Sequence, residues 1–372
     1  MREVFPFFRI TTGKISVFID MRKTAFLFVF IPFLFFSCTA CSLPFGEENL
    51  PEELDIVSWN VQNLFDDVSD GGEYDEFNPD KGIWNSDLFY KRMYRMEEVF
   101  DSLFESRPHI ILLQEIENHN TLDILNHKIL KKEYAWQVLI EDDDQSVNTA
   151  VLSRIPVKAV ATLETGFRGL RKLRPITEIH FDLSGRELVV FNNHWKSKSG
   201  GSAATEEGRI SSALILTKRI KKLLAVNEQL MIIAAGDFNE NHDEYKRTGR
   251  NYQTALIPDI EVVSEEWSDS LFVTSRPSRC TVQNDRLVLY SPWYDVSSSG
   301  SYAYKSQWSK IDHFFLWKSL FDGSGYDYES FRVVKDSLLL NDYNYPSRWD
   351  HITEEGYSDH LPIHLKLINR GN

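Results

Sequence analysis

An α/β layered fold is predicted for this 372-residue chain by three features of its sequence. Short runs rich in Val, Ile and Phe each end in polar residues, two longer segments carry apolar residues at helical spacing, and a Ser-Gly pair separates two adjacent apolar runs. The runs at 57–61, 110–116, 188–194, 231–238 and 311–316 have the length and β-branched content of strands buried in a sheet. Phe89, Met93, Met96, Val99, Phe100 and Leu103 recur at helical spacing, as do Ile210, Ala213, Leu214, Thr217, Ile220 and Leu224, so each helix is expected to lay one face on a sheet. Apolar segments at 147–153, 157–163, 176–183 and 187–193 follow closely on one another, and Ser184-Gly185 predicts a hairpin with antiparallel neighbours.

The polar residues that close these runs carry the chemistry. In chain order they are Trp59-Asn60, Gln114-Glu115, Asn193-His194, Gly236-Asp237-Phe238-Asn239, Ile311-Asp312 and Ser358-Asp359-His360. A carboxylate, carboxamide or imidazole ending a buried strand is costly without a partner. When several strands do this in one chain, the simplest shared partner is a divalent cation at the sheet edge. Oxygen donors from Asp, Glu and Asn suit Mg²⁺ or Mn²⁺, whereas Zn²⁺ favours Cys and more His.

These six blocks, in this order, resemble the endonuclease/exonuclease/phosphatase superfamily, the group of DNase I, exonuclease III-type abasic endonucleases, inositol polyphosphate 5-phosphatases and neutral sphingomyelinases. The resemblance runs from about Leu54 to Leu367, and Asn148-Thr-Ala-Val-Leu-Ser-Arg-Ile-Pro156 adds to it as a strand ending in Leu-Ser-Arg. It implies a DNase I-like four-layer sandwich, two packed mixed β-sheets flanked by helices, and a metal-dependent phosphodiester hydrolase. Carried over to this chain, it makes Glu115 the principal metal ligand, with Asn60 and Asp359 beside the same ion. Asp237 and Asn239 hold the attacking water or a second ion. His360, oriented by Asp312, and His194 face the scissile phosphate for acid/base or transition-state work, and Arg174 and Asn148 fall at substrate-contacting positions.

Each of these residues also has a purely structural explanation. Taken alone, Asn60 could cap a turn, Glu115 could pair with a surface Arg, and Asp312 could be a structural strand-end carboxylate. His109, His119, His127, His180, His242, His313, His351 and His364 have no motif around them and read as surface or packing residues.

The chain opens with an expected upstream extension over 1–20, followed by a signal peptide over 21–37. There Met21-Arg22-Lys23 precedes an apolar stretch too short to be a comfortable membrane span, and Phe36-Ser37-Cys38 resembles a relaxed bacterial lipoprotein box. Cys38 is the expected lipidation site, residues 38–53 an acidic tether, and 54–369 one catalytic domain, because its site blocks stretch from Asn60 to His360. The protein is therefore read as exported and anchored to a bacterial membrane by its N-terminal lipid. Only Cys280 lies in the folded part, which suits an exported chain that does not rely on disulfides.

Three segments are less regular. Residues 66–84 carry seven acidic side chains and Gly71-Gly72; the spacing does not fit an EF-hand, and the segment reads as a solvated acidic loop rather than a calcium loop. Lys196 and Lys198, directly after His194, are placed to hold a polyanion, or else make a surface turn. The aromatic stretch 277–308 either stacks bases or packs over a sheet edge.

A net charge of −14 argues against a broad basic face for duplex DNA, although Lys196, Lys198, Arg174, Arg154 and Arg209 could be local to a groove. Within the family, Gly236-Asp-Phe-Asn239 and Asn192-Asn-His-Trp-Lys-Ser-Lys198 look like bacterial nuclease-type members. The Trp-Cys-Asp-Arg block of the 5-phosphatases is replaced here by Trp308-Ser-Lys-Ile-Asp312. A nuclease acting on DNA or RNA is the leading expectation, with a sphingomyelinase-like or inositol phosphatase-like enzyme as the alternative and a non-catalytic surface-binding lipoprotein as a further one. No protein partner can be read from the chain.

Overall fold

The computed structural model describes residues 10–12, 15–19, 50–183 and 185–371. The expected signal peptide, Cys38 and most of the tether lie outside them. Among the described residues, no helix is long and apolar enough to cross a membrane.

Two mixed sheets pack face to face. The first runs, edge to edge, through Ile10–Thr12, Ile15–Ile19, Trp136–Ile140, Asn148–Ser153, Ile110–Ile116, Glu53–Leu64, Ile363–Asn369 and Tyr326–Val333. The second runs through Leu256–Pro258, Leu271–Thr274, Arg286–Tyr290, Asp312–Leu316, Met231–Asp237, Arg186–His194, Ile176–Leu183 and Val157–Leu163. The hairpin at residue 185 is present, with Leu183 paired antiparallel to Arg186.

Side-chain alternation assigns the layers. On the Glu53–Leu64 strand, Leu54 and Ile56 enter the core between the sheets, while Val57, Trp59 and Val61 face the Ser86–Ser102 helix with its Phe89, Met93, Met96, Val99 and Phe100. The Ser202–Val226 helix covers the other sheet and completes the helix–sheet–sheet–helix order. Its buried face differs a little from the expected one. Gly208, Ser212, Ala213 and Leu216 are buried, and Ile210 and Leu214 only half so, because small residues let this helix lie close to its neighbours. A Cβ at Gly208 would come within 3.2 Å of Lys196 Cβ.

Toward one end, the space between the sheets turns polar. Gln114 Nε2 donates to Asn192 Oδ1 across the sheets at 2.7 Å, Asn192 donates to the carbonyls of Leu113 and Ala150, and Thr149 and Thr177 join their hydroxyls at 2.8 Å. These bonds satisfy most of the buried polar groups of the seam from the facing layer, and Gln114 Oε1 is left without a partner. The strand ends beyond this seam carry the site.

The fold begins before residue 54. Pro51 O accepts from the Tyr326 hydroxyl, Glu52 O accepts from Asn369 N at 2.8 Å, and the first long strand starts at Glu53, so the last tether residues are built into the sheet. Part of the expected extension is also on a sheet, since Ile15–Ile19 pairs antiparallel with Trp136–Ile140.

Candidate active site

Three adjacent strands of the second sheet end at one level. His194 is the parallel partner of Asp237, and Asp237 is the antiparallel partner of Asp312. Gly236 lets the strands close up, since at φ +122° a Cβ there would lie 2.1 Å from Asn193 O. Past the strand end, Asn239 takes a left-handed φ of 53° and folds back onto Asp237, donating from its amide N to Oδ1 at 2.8 Å and from Nδ2 to Oδ2 at 3.0 Å.

The first sheet contributes from the opposite side through paired irregularities. Register shifts between Asn60 and Leu64 and between Gln114 and Ile116 leave Gln62, Asn63 and Glu115 at positive φ and bulge both strands. Such a bulge re-aims a side chain, and here the Glu115 carboxylate reaches the rim. Glu115 Oε2 accepts from Asn63 N at 2.8 Å. Asn60 Nδ2 lies 3.2 Å from Glu115 Oε1 and 3.1 Å from Asp237 Oδ2, so one amide joins carboxylates from the two sheets. Behind the bulge, the buried Arg92 donates to the carbonyls of Val61 and Asn63.

The loop carrying Asp359 and His360 closes the ring. Ser358 Oγ donates to Asn60 O at 2.7 Å and accepts from His360 N, while Trp59 Nε1 donates to His360 O at 3.0 Å. Gln62 Oε1 accepts from Asp359 N at 3.0 Å. His360 turns Nδ1 to Asp312, whose Oδ2 also accepts from Ser301, and the Tyr302 ring packs 4.6 Å from the imidazole.

Burial and neighbouring charge set different proton states. Burial alone favours a neutral imidazole at 360, but Asp312, with Asp237 and Asp359, outweighs it and pushes His360 up to about 10. His194 goes the other way, held well below the usual range by burial and by Arg174, His360 and Lys196, so it is neutral near pH 7. Burial, reinforced by Asp312, lifts Asp237 to about 7 against the opposing effects of His360, Asn239 and Asn60. The site therefore combines an imidazolium, a neutral imidazole and a carboxylate that changes charge near neutrality.

The donor set also fits a hard divalent cation. Glu115 and Asp359 both line a cavity of about 210 Å³ with Gln62 and Asn63, and the Asn60 amide joins Glu115 to Asp237. The carboxylates supply oxygen donors with no thiol among them, as Mg²⁺ or Mn²⁺ prefers, while Asn60 turns Nδ2 to them and accepts at Oδ1 from Gln62 N at 3.0 Å. Asp237, Asp312 and His360 also bring ligand atoms within 4.8 Å of one another, but there the charged imidazole serves as the cation.

Asn60, Glu115, His194, Asp237, Asn239, Asp312, Asp359 and His360 thus gather at one rim. The expected substrate residues divide. Arg174 and Lys196 line a cavity of about 570 Å³ beside the rim together with Arg168, Arg171 and Lys172, and Arg174 Nε is buried there with no hydrogen-bond partner. Lys198 turns away to the buried Glu244, 2.5 Å from its Oε1. Asn148 supports backbone, donating to Glu117 O at 2.6 Å and accepting from Asp142 N. Neither Arg154 nor Arg209 is a free groove cation: Arg154 pairs with Glu133, and Arg209 is fully buried between Glu206 and Glu240. In the aromatic stretch, Trp293 is buried with Nε1 on Asp312 O, so it packs against the site rather than awaiting a base.

Arg92, Gln62, Ser301, Arg168 and Arg171 are not marked by a motif in the sequence, whereas Tyr302 belongs to the aromatic stretch 277–308 and packs on His360. Arg168 and Arg171 offered a signal, as basic residues flanking Gly169-Leu170 just before Arg174. Arg92 offered only a charge on the apolar face of a helix.

A profile of the Endonuclease/Exonuclease/phosphatase family matches residues 55–253. A comparison with curated proteins finds no match in sequence. Among solved structures, truncated Caenorhabditis elegans TDP2 superposes with a TM-score of 0.50 at 13% identity, covering 85% of this chain and 97% of that one. An endonuclease/exonuclease/phosphatase family protein from Bacteroides thetaiotaomicron gives 0.50 at 16% identity, covering 86% and 98%. TDP2 from D. rerio, complexed with single strand DNA product, gives 0.50 at 14% identity, covering 85% and 99%. At these identities the likeness is one of fold, and the fold is DNase I-like.

Proposed function

The chain belongs to the endonuclease/exonuclease/phosphatase family, and from that premise we propose that it is a divalent-cation-dependent phosphodiesterase acting on DNA or RNA. The observation that carries this reading is the convergence of Glu115, Asp237 and His360 from both sheets and a distant loop: the Asn60 amide joins Glu115 to Asp237, and Asp237 lies with Asp312 and its partner His360 within 4.8 Å.

Glu115, with Asn60 and Asp359, would hold Mg²⁺ or Mn²⁺, which when bound neutralises charge on the phosphoryl oxygens. The protein's own groups do the rest. Asp237, oriented by Asn60 and Asn239, accepts a proton from the attacking water, for which a pKa of about 7 is suited. His360, charged and fixed through Nδ1 by Asp312, presents its Nε2 proton to the phosphoryl group as negative charge develops there. His194, neutral, adds a second donor from the facing strand.

Nucleic acid is favoured as substrate by the basic cleft next to this rim. Despite a net charge of −14, Arg168, Arg171, Arg174 and Lys196 crowd closely enough that the three arginines help to hold the pKa of Lys196 down after burial does. Such a concentration of charge attracts a polyanion with more than one phosphate. The D. rerio TDP2 complex with single strand DNA product is consistent with this reading. One feature supports a lipid phosphodiester as the second reading: Leu170 is fully exposed and Phe167 67% exposed at the tip of the hairpin that carries Arg168 and Arg171.

The test is a panel of single-stranded DNA, plasmid DNA, RNA, bis-p-nitrophenyl phosphate, sphingomyelin and inositol phosphates with Mg²⁺ or Mn²⁺. Hydrolysis of nucleic acid that is abolished in Glu115→Ala and His360→Ala supports the proposal. Equal hydrolysis by His360→Ala, or hydrolysis of sphingomyelin alone, overturns it.

The same proposal includes export over residues 21–37 and lipidation at Cys38. Incorporation of a labelled fatty acid into the wild-type chain and not into Cys38→Ala is the expected result, and equal labelling of the two sinks it.

A further inference from the structure

Two residues beyond Glu115, the chain leaves the strand end at Glu117, which is only 5% exposed. One of its oxygens, Oε2, accepts from Asp66 N at 2.7 Å, whereas Oε1 is buried with no hydrogen-bond partner. The acidic loop folds over this carboxylate. Asp70 and Glu73 bring oxygens within 4.8 Å of one from Glu117 and of each other. Among the described residues, no Lys, Arg or His forms an ion pair with any of the three.

Three carboxylates packed in this way repel one another, and the unpartnered oxygen of Glu117 loses its hydration without compensation. A bound cation removes both penalties. Calcium–oxygen bonds are about 2.3–2.6 Å, so two oxygens on one ion lie at most about 5 Å apart. The observed spacing meets that limit. The surroundings are those of an irregular loop rather than an octahedral cage: Asp66 is held by Val68 N and by the amides of Asn118 and Asn120, and Glu73 by Gly71 N and Asn78 Nδ2. Calcium tolerates such variable geometry and Mg²⁺ does not.

We propose that Asp70, Glu73 and Glu117 form a second cation site, selective for Ca²⁺, that fastens the acidic loop to the strand end carrying Glu115. It does not rest on the phosphodiesterase reading. The loop it fastens also walls both cavities at the rim, with Glu76 and Phe77 facing the Glu115 cavity and Tyr74 facing the basic cleft. Calcium bound here shapes the entrance without touching the reacting groups.

The test is calorimetric titration of the chelator-treated full chain with CaCl₂, alongside limited proteolysis within residues 66–84. The expected result is a Ca²⁺ event in wild type that persists in Glu115→Ala, is weakened by about tenfold or more in Glu117→Gln, and protects the loop where Mg²⁺ does not. The Asp70→Asn/Glu73→Gln double variant is altered only on the loop and must lose the event as well, which keeps the test decisive if Glu117→Gln fails to fold. Absence of a Ca²⁺ event in wild type, its loss in Glu115→Ala, or its survival in the double variant overturns the proposal.

Discussion

His360 Nδ1 lies 2.9 Å from Asp312 Oδ2 and 3.1 Å from Oδ1, so a loop residue takes its orientation and charge from a strand end 48 positions earlier. The ring's Nδ1 is committed to the carboxylate, and only Nε2 is left outside that pair, 4.0 Å from Asp359 Oδ1.

Asp312→Asn removes the charge that holds His360 at about 10. Activity is expected to fall by about 10²–10⁴, with the loss steepest above neutral pH as the imidazole becomes neutral there. A pH–rate profile reads this, and a profile of unchanged shape contradicts the pairing. The pair also has a signature in stability. Because the folded pKa is raised above the ordinary 6.5, its contribution is full below about 6.5 and is lost as pH rises through about 10. Denaturant midpoints of wild type and Asp312→Asn should converge over that window.

Asp237 behaves in the opposite sense toward a cation. Burial holds its pKa at about 7, so its negative charge beside the cation proposed at Glu115, Asn60 and Asp359 forms only as pH rises through neutrality. Without the ion, the stability that goes with keeping this group neutral is full below 3.8 and is lost as pH rises to about 7. The thermal shift produced by Mn²⁺ should therefore be larger at pH 8 than at about pH 6. Equal shifts at the two values would mean that the charge on Asp237 does not act on the bound cation.

Gly236→Ala forces a Cβ to 2.1 Å from Asn193 O at a φ of +122°. Strain and overpacking together cost about 1–3 kcal/mol or more. Chemical denaturation measures the cost, and activity should fall with it because Asp237 is the next residue. Wild-type stability in this variant would show that the strand contact is not as close as described.

Lys196 and Lys198 are two residues apart and should fail differently. Lys196→Ala, or Arg171→Ala, weakens binding of single-stranded DNA and reduces the salt dependence of binding by about one phosphate contact. Lys198→Ala leaves the buried Glu244 without its cation and should lower stability, with little change in that salt dependence. Parallel salt titrations separate the two, and identical slopes for both variants would remove Lys196 from the groove.

Much of this molecule was legible locally. Strand and helix positions follow from apolar periodicity, and the polar residues His194, Asp237 and Asp312 mark strand ends because such groups are too costly to leave buried and unpaired, while Asn60 and Glu115 fall at bulges and His360 in a loop. Periodicity reports that a face is buried and says nothing of what it meets. That Lys198 would be taken by Glu244, that Arg209 would vanish between two glutamates, that Arg92 would brace the bulge aiming Glu115, and that the acidic loop would fold onto Glu117 depended on contacts between distant segments. Which residues are candidates for the chemistry is written in the order of the chain; which of their charged neighbours stay free beside them was decided only in three dimensions, where each long side chain goes to the nearest opposite charge that packing leaves within reach.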